Sequence, residues 1–150
     1  MKKYIGLILL FFVAICTSGC DSYIMAQSQN DNYYGVFKQR DLIQADVKLI
    51  KKEPHVVCDG VMFLNPKSRI LSYKDNNIDA NLILGCSDKS LIKARLKVEN
   101  RKFKNISGQG FDQFDNMFIF SSISEKEFKK EFGNEKITPV SDNTPSLLKY

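Results

Sequence analysis

The clearest pattern in the chain lies between Leu91 and Glu99. There Ile92, Ala94, Leu96 and Val98 alternate with Lys93, Arg95, Lys97 and Glu99. A period of two places successive side chains on opposite faces of a strand, so this stretch predicts a β-strand with one apolar and one charged face. The pattern recurs upstream. Ala45, Val47 and Leu49 alternate with Asp46 and Lys48, and Ala80, Leu82, Leu84 and Cys86 share one face of another strand. Val56 to Leu64 is apolar and β-branched, with Gly60 marking a bulge or a close backbone approach. Arg69 to Lys74 adds a short strand, and Met117 to Phe120 is apolar on both faces. Turn residues punctuate the series at Glu53-Pro54, Asn65-Pro66-Lys67-Ser68, Asp75-Asn76-Asn77 and Ser87-Asp88-Lys89. Short strands at about ten-residue spacing predict a mainly β fold, a small antiparallel sheet with one face buried.

The period changes once. Ser124-Glu125-Lys126-Glu127 has the form of a capping box, in which serine hydroxyl and glutamate carboxylate satisfy the free amides at a helix start. Phe128 and Phe132 stand four apart on one helical face, and Gly133-Asn134 suits the C-terminal cap. One short C-terminal helix is therefore expected to close on the sheet and bury both rings. Residues 134–150 are polar, contain Pro139 and Pro145, and read as a disordered tail.

The first twenty residues carry a different signal. Lys2 and Lys3 precede an apolar run from Ile5 to Cys16. It falls well short of the roughly 20 residues that span a bilayer as a helix, and it has the form of a secretory h-region. Thr17-Ser18-Gly19-Cys20 follows, and this segment resembles the lipobox of bacterial lipoproteins. Ser18, Gly19 and Cys20 match that pattern, whereas Thr17 stands where Leu or Val is usual. The resemblance covers these residues only. It implies a signal peptide, 1–19, cleaved after Gly19, with diacylglycerol on the Cys20 thiol and an acyl chain such as palmitate on its amine. Several acyl chains together make a stable anchor. Asp21 resembles the signal that retains enteric lipoproteins at the inner membrane, which favours the periplasmic face of that membrane.

Asp21 to Asn32 is rich in Gln, Asn, Ser and Asp without a sustained period and reads as a tether. If the chain from Asp21 to Gln44 were flexible, it would hold the domain about 25–30 Å from its anchor. Tyr33, Tyr34, Val36 and Phe37 are costly to leave in water and are expected to dock on the domain. The expected organisation is thus a signal at 1–19, anchor and tether at 20–44, a β-rich domain at 45–133 and a tail at 134–150.

Loss of Lys2 and Lys3 with the signal lowers the formal charge of the 150-residue chain from +5 to +3. This balance is too small for a nucleic-acid-binding composition, and no nucleic-acid partner is expected. Of four cysteines, Cys16 leaves with the signal and Cys20 carries lipid. Cys58 and Cys86 remain, and in an oxidising compartment they are expected to form a disulfide.

Motifs for catalysis are scarce. His55 is the sole histidine, and Walker, Gly-x-Ser-x-Gly, His-Glu-x-x-His and Cys-x-x-Cys patterns are absent. The segment Gly108-Gln109-Gly110-Phe111-Asp112, with Asp115 and Asn116 behind it, reads as a loop. Its oxygens at Asp112, Asp115 and Asn116 suit a hard cation, but the alternating EF-hand ligands and closing glutamate are missing. The plainer reading is a tight loop with Phe111 and Phe114 packed inward. No cofactor is implied.

Lys93, Arg95 and Lys97 share one face, and Arg101 follows them. Such a stripe attracts an acidic protein or another anionic envelope component, although lysines on an edge strand also serve simply to discourage aggregation. The leading expectation is a membrane-anchored, non-catalytic binding or assembly module facing the periplasm. The alternatives are a small envelope hydrolase or inhibitor using Asp112 and Asp115, and a surface- or entry-exclusion lipoprotein of a mobile element.

Overall fold

The computed structural model describes residues 22–65, 77–99 and 103–139. Eight strands follow one another: β1 (Ser22–Gln27), β2 (Asn32–Gln39), β3 (Gln44–Lys51), β4 (Val56–Leu64), β5 (Asn77–Cys86), β6 (Leu91–Glu99), β7 (Lys104–Phe111) and β8 (Met117–Ile123). Each pairs antiparallel with the next, and β1 also pairs with β8, so the sheet closes into a barrel. The helix α1 (Glu125–Phe132) follows β8. A mainly β, antiparallel fold with one short C-terminal helix and one disulfide matches the periodicity. Closure goes beyond it, because alternation reports faces and not strand ends.

Alternation decides what fills the barrel. Val47 and Leu49 of β3, Leu82 and Leu84 of β5, Ile92 and Leu96 of β6, and Phe120 of β8 all point inward and are almost wholly buried. With eight strands the interior is just wide enough for side chains to fill. This polarity is opposite to that of a membrane-spanning barrel, which is apolar outside and polar inside. No helix among the described residues is long and apolar enough to cross a membrane.

Glycine makes the tight curvature possible. At Gly35, which pairs with Ile24 and Leu49, an added Cβ would lie 1.8 Å from the Lys48 carbonyl oxygen. At Gly60, between Val47 and Leu84, it would lie 1.9 Å from the Ile83 carbonyl oxygen. Gly60 is thus the close approach anticipated. The register on both its sides is unbroken, so there is no bulge.

The tether expectation is corrected at its core. Residues Ser22–Gln27 and Asn32–Gln39 are the first two barrel strands, and the barrel begins at Ser22, not at residue 45. Ile24 and Ala26 face inward while Tyr23, Met25 and Gln27 face outward, so bulky residues on both faces blur the period in a strand of six residues. Tyr33, Tyr34, Val36 and Phe37 do dock, but on both sides of the wall. Tyr33 and Phe37 enter the core, while Tyr34 and Val36 face the helix.

Ser124 caps α1 as the sequence indicates. Its hydroxyl accepts from the Glu127 amide at 3.2 Å, and the Glu127 carboxylate accepts from the Ser124 amide at 2.8 Å. Phe128 and Phe132 stack, with ring centroids 5.1 Å apart, on the outside of the barrel against Tyr23, Tyr34 and Val36. The tail expectation is corrected for its first part, since Ile137 is buried beside those rings. Residues 140–150 lie outside the described residues, as do Pro66, Lys67, Ser68 and the short strand expected from Arg69 to Lys74.

Candidate functional site

A closed wall has only an outside and two ends to offer a partner. The helix packs on the outside against Tyr23, Tyr34 and Val36, and the outer face of β4 to β8 carries exposed side chains. There the outward column of β6 is Lys93, Arg95 and Lys97, all exposed. In register, Lys93 faces Ile83 on β5 and Phe111 on β7, and Phe111 in turn faces Met117 on β8. One step along, Arg95 faces Asn81 and Gln109, which lead outward to Phe63 and Ile119. Lys97 faces Asp79 and Ser107. Three cations therefore run along the strand; Lys93 has apolar side chains on both sides, while Arg95 and Lys97 have polar neighbours with Phe63 and Ile119 one strand further out. Phe63, Ile83, Phe111, Met117 and Ile119 are each 38–50% exposed.

The polar side chains of β7 shape this face. Ser107 and Gln109 lie between the long cations of β6 and Ile119 of β8, leaving an open depression of about 830 Å³ beside Arg95 and Lys97. Among the described residues, Lys93, Arg95 and Lys97 form no ion pair, whereas Arg40, Lys48, Lys51 and Lys129 do. Their charge is turned to solvent.

Edge protection does not explain the stripe. β6 is hydrogen-bonded on both sides, to β5 and to β7, and a closed barrel has no edge to guard. Arg101 and Cys20 lie outside the described residues.

The loop expected at Gly108–Asn116 is corrected. Gly108 and Gly110 belong to β7 and face the interior against Leu96, Phe120, Ala94 and Phe118, where bulkier residues would not fit. The loop is only 112–116, and Phe111 and Phe114 point outward, Phe114 being 72% exposed. Within it the Asp112 carboxylate accepts from the Phe114 amide at 2.8 Å, the Asn116 amide at 2.9 Å and the Asn116 side chain at 2.8 Å. Partial burial pushes the Asp112 carboxyl up. The hydrogen bonds from Asn116 and Phe114 outweigh it and hold the group below its ordinary value. These oxygens clamp the turn of the hairpin. Asp115 is exposed with a φ of 64°, and among the described residues no three His, Cys, Asp or Glu side chains gather as metal ligands. His55 is exposed in the turn between β3 and β4.

Cys58 and Cys86 stand directly opposite on β4 and β5 and are bonded. The stripe and the disulfide were legible in the sequence; the apolar flanks were not. Their signal was Met117 to Phe120, apolar on both faces, where a strand with a solvated side would alternate.

No protein-family model, curated protein or solved structure matches this chain.

Proposed function

We propose that the chain is a lipid-anchored envelope protein, held through Cys20, whose barrel is a non-catalytic module that captures a protein partner on the outer face of β6 to β8. One observation carries the reading: three cations that form no ion pair among the described residues stand on a strand with no edge to protect, with Ile83 and Phe111 beside Lys93 and Phe63, Met117 and Ile119 on the strands beyond. Lysine and arginine steer an acidic partner, and apolar groups beside them supply the area that desolvates on contact. The partner this chemistry fits is an acidic envelope protein with apolar side chains at the contact. The Cys20 anchor, the inner-membrane address and the periplasmic orientation rest on the lipobox and on Asp21.

The test is capture from the native host. Lipidated protein is crosslinked briefly, purified in mild detergent and compared with a Lys93→Glu, Arg95→Glu, Lys97→Glu variant. One stoichiometric partner is expected with the parent chain and a loss of about tenfold or more with the variant, because three opposed charges cost several kcal/mol against an acidic surface. Equal recovery from a folded variant removes the stripe from the account. Those positions are exposed, so the fold is expected to survive. The hydrolase or inhibitor alternative is disfavoured by the commitment of the Asp112 oxygens to their own turn.

A further inference from the structure

The barrel has two ends, and they differ. At the first lie Ser22, the turn from β2 to β3 at 40–43 and the ends of β4 and β8; at the other lie the turns 28–31, 52–55, 87–90 and 112–116. The four far turns carry Asp31, Glu53, Asp88, Asp112 and Asp115 against Lys52 and Lys89. The far end exposes Phe111 and Phe114 too, but beside those carboxylates. The Ser22 end presents Leu42 at 62% exposure, with Ile43 and Phe63 also exposed. Leu42 is held there: the Asp41 carboxylate accepts from the amides of Ile43 and Gln44 at 2.8 Å each, fixing the turn.

Chain length ties this end to the anchor. Only Asp21 separates Cys20 from Ser22, and two residue steps span at most about 7 Å. Ser22 pairs with Phe37, so Gln39 already extends two residues past the level of Ser22, and Leu42 lies in the turn beyond it. The turn therefore extends towards the lipid at least as far as Cys20 can reach. The headgroup layer on each side of a bilayer is about 5–8 Å deep.

The geometry points to a membrane-contact surface: the Ser22 end of the barrel, through Leu42, Ile43 and Phe63, sits in the headgroup layer of an anionic phospholipid bilayer. This rests on the lipid-anchor reading of Cys20. The far end faces away, where its carboxylates are kept clear of anionic headgroups. In that pose the Lys93–Lys97 column, which runs along β6 from the far end towards the bilayer, faces sideways. It meets a partner standing on the same membrane.

The chain contains no tryptophan, so one introduced indole reports one place. Full-length lipidated protein carrying Leu42→Trp or Phe114→Trp, both at exposed positions, is reconstituted into phosphatidylcholine–phosphatidylglycerol vesicles with brominated acyl chains. The two sites are separated by roughly 25 Å, the length of an eight-residue strand. Leu42→Trp is expected to shift to the blue and lose most of its emission to bromine, while Phe114→Trp loses almost none. Equal loss at both sites, or none at Leu42→Trp in protein that floats with the vesicles, overturns the contact surface and leaves the anchor standing. Protein that fails to float and takes no acyl label at Cys20 overturns the anchor reading, and this inference with it.

Discussion

Gly35→Ala is expected to lower stability by about 3 kcal/mol or more, at the upper end of what overpacking a core costs. The added methyl group would lie 1.8 Å from the Lys48 carbonyl oxygen and 2.9 Å from the Leu49 Cα. Both obstructing atoms are backbone, so no rotamer change relieves the clash. β3 must move, and β3 is already registered with β4 through Leu49 and Cys58. For a domain of this size each kcal/mol shifts the midpoint by about 4 °C, so the loss is roughly 12 °C or more in thermal unfolding. A shift of only a few degrees contradicts the close approach of β2 and β3 on which closure depends. Gly60, at 1.9 Å from the Ile83 carbonyl oxygen, is expected to behave alike.

The second large effect is expected on reduction of the Cys58–Cys86 bond. A crosslink between residues 28 apart lowers unfolded-chain entropy by about 3–4 kcal/mol equivalent at room temperature in the chain-entropy model. That is a large fraction of the 5–15 kcal/mol by which domains are stable. The bond ties β4 to β5 near the far end of the barrel, whereas the connection between those strands lies at the Ser22 end. Reduction therefore releases the pair at the end its own connection does not hold. Urea unfolding with and without reductant measures the loss. A Cys58→Ala, Cys86→Ala variant is expected to lose somewhat more, since Cys58 is fully buried and its removal leaves space in the core. An unchanged midpoint on reduction contradicts a stabilising role for the bond.

Some of this fold could be read from residues, and the reasons differ by element. β6 was plain because four inward apolar residues alternate with four charged ones. The helix was plain because its cap, its two aromatic rings and its terminal glycine agree. β1 was missed because Tyr23 and Met25 on its outer face hide the alternation of Ile24 and Ala26, and a polar run from Gln27 follows directly. β7 was missed because its inward positions include Gly108 and Gly110, which leave no apolar signal yet make room for Leu96 and Phe120. Closure needs β1 beside β8, a contact between the two ends of the domain that no local period encodes. The same limit applied to the candidate site. The basic column lies within one strand and was visible, while Phe63, Ile83, Phe111, Met117 and Ile119 come from four other strands and converge only after pairing.

Closure also changes what the column means. On an edge strand it serves to discourage pairing with another chain, and β6 is not an edge strand. The partner site proposed on the outer face of β6 to β8 can be probed in place. The most direct measurement is site-specific photocrosslinking in the native envelope, with a short-range crosslinker at Gln109, in the depression beside Arg95, and at Lys126, on the helix outside the barrel. One discrete adduct is expected from Gln109, lost when Lys93, Arg95 and Lys97 are changed to glutamate, and none from Lys126. An adduct of equal yield from both positions, or from Lys126 alone, contradicts that site.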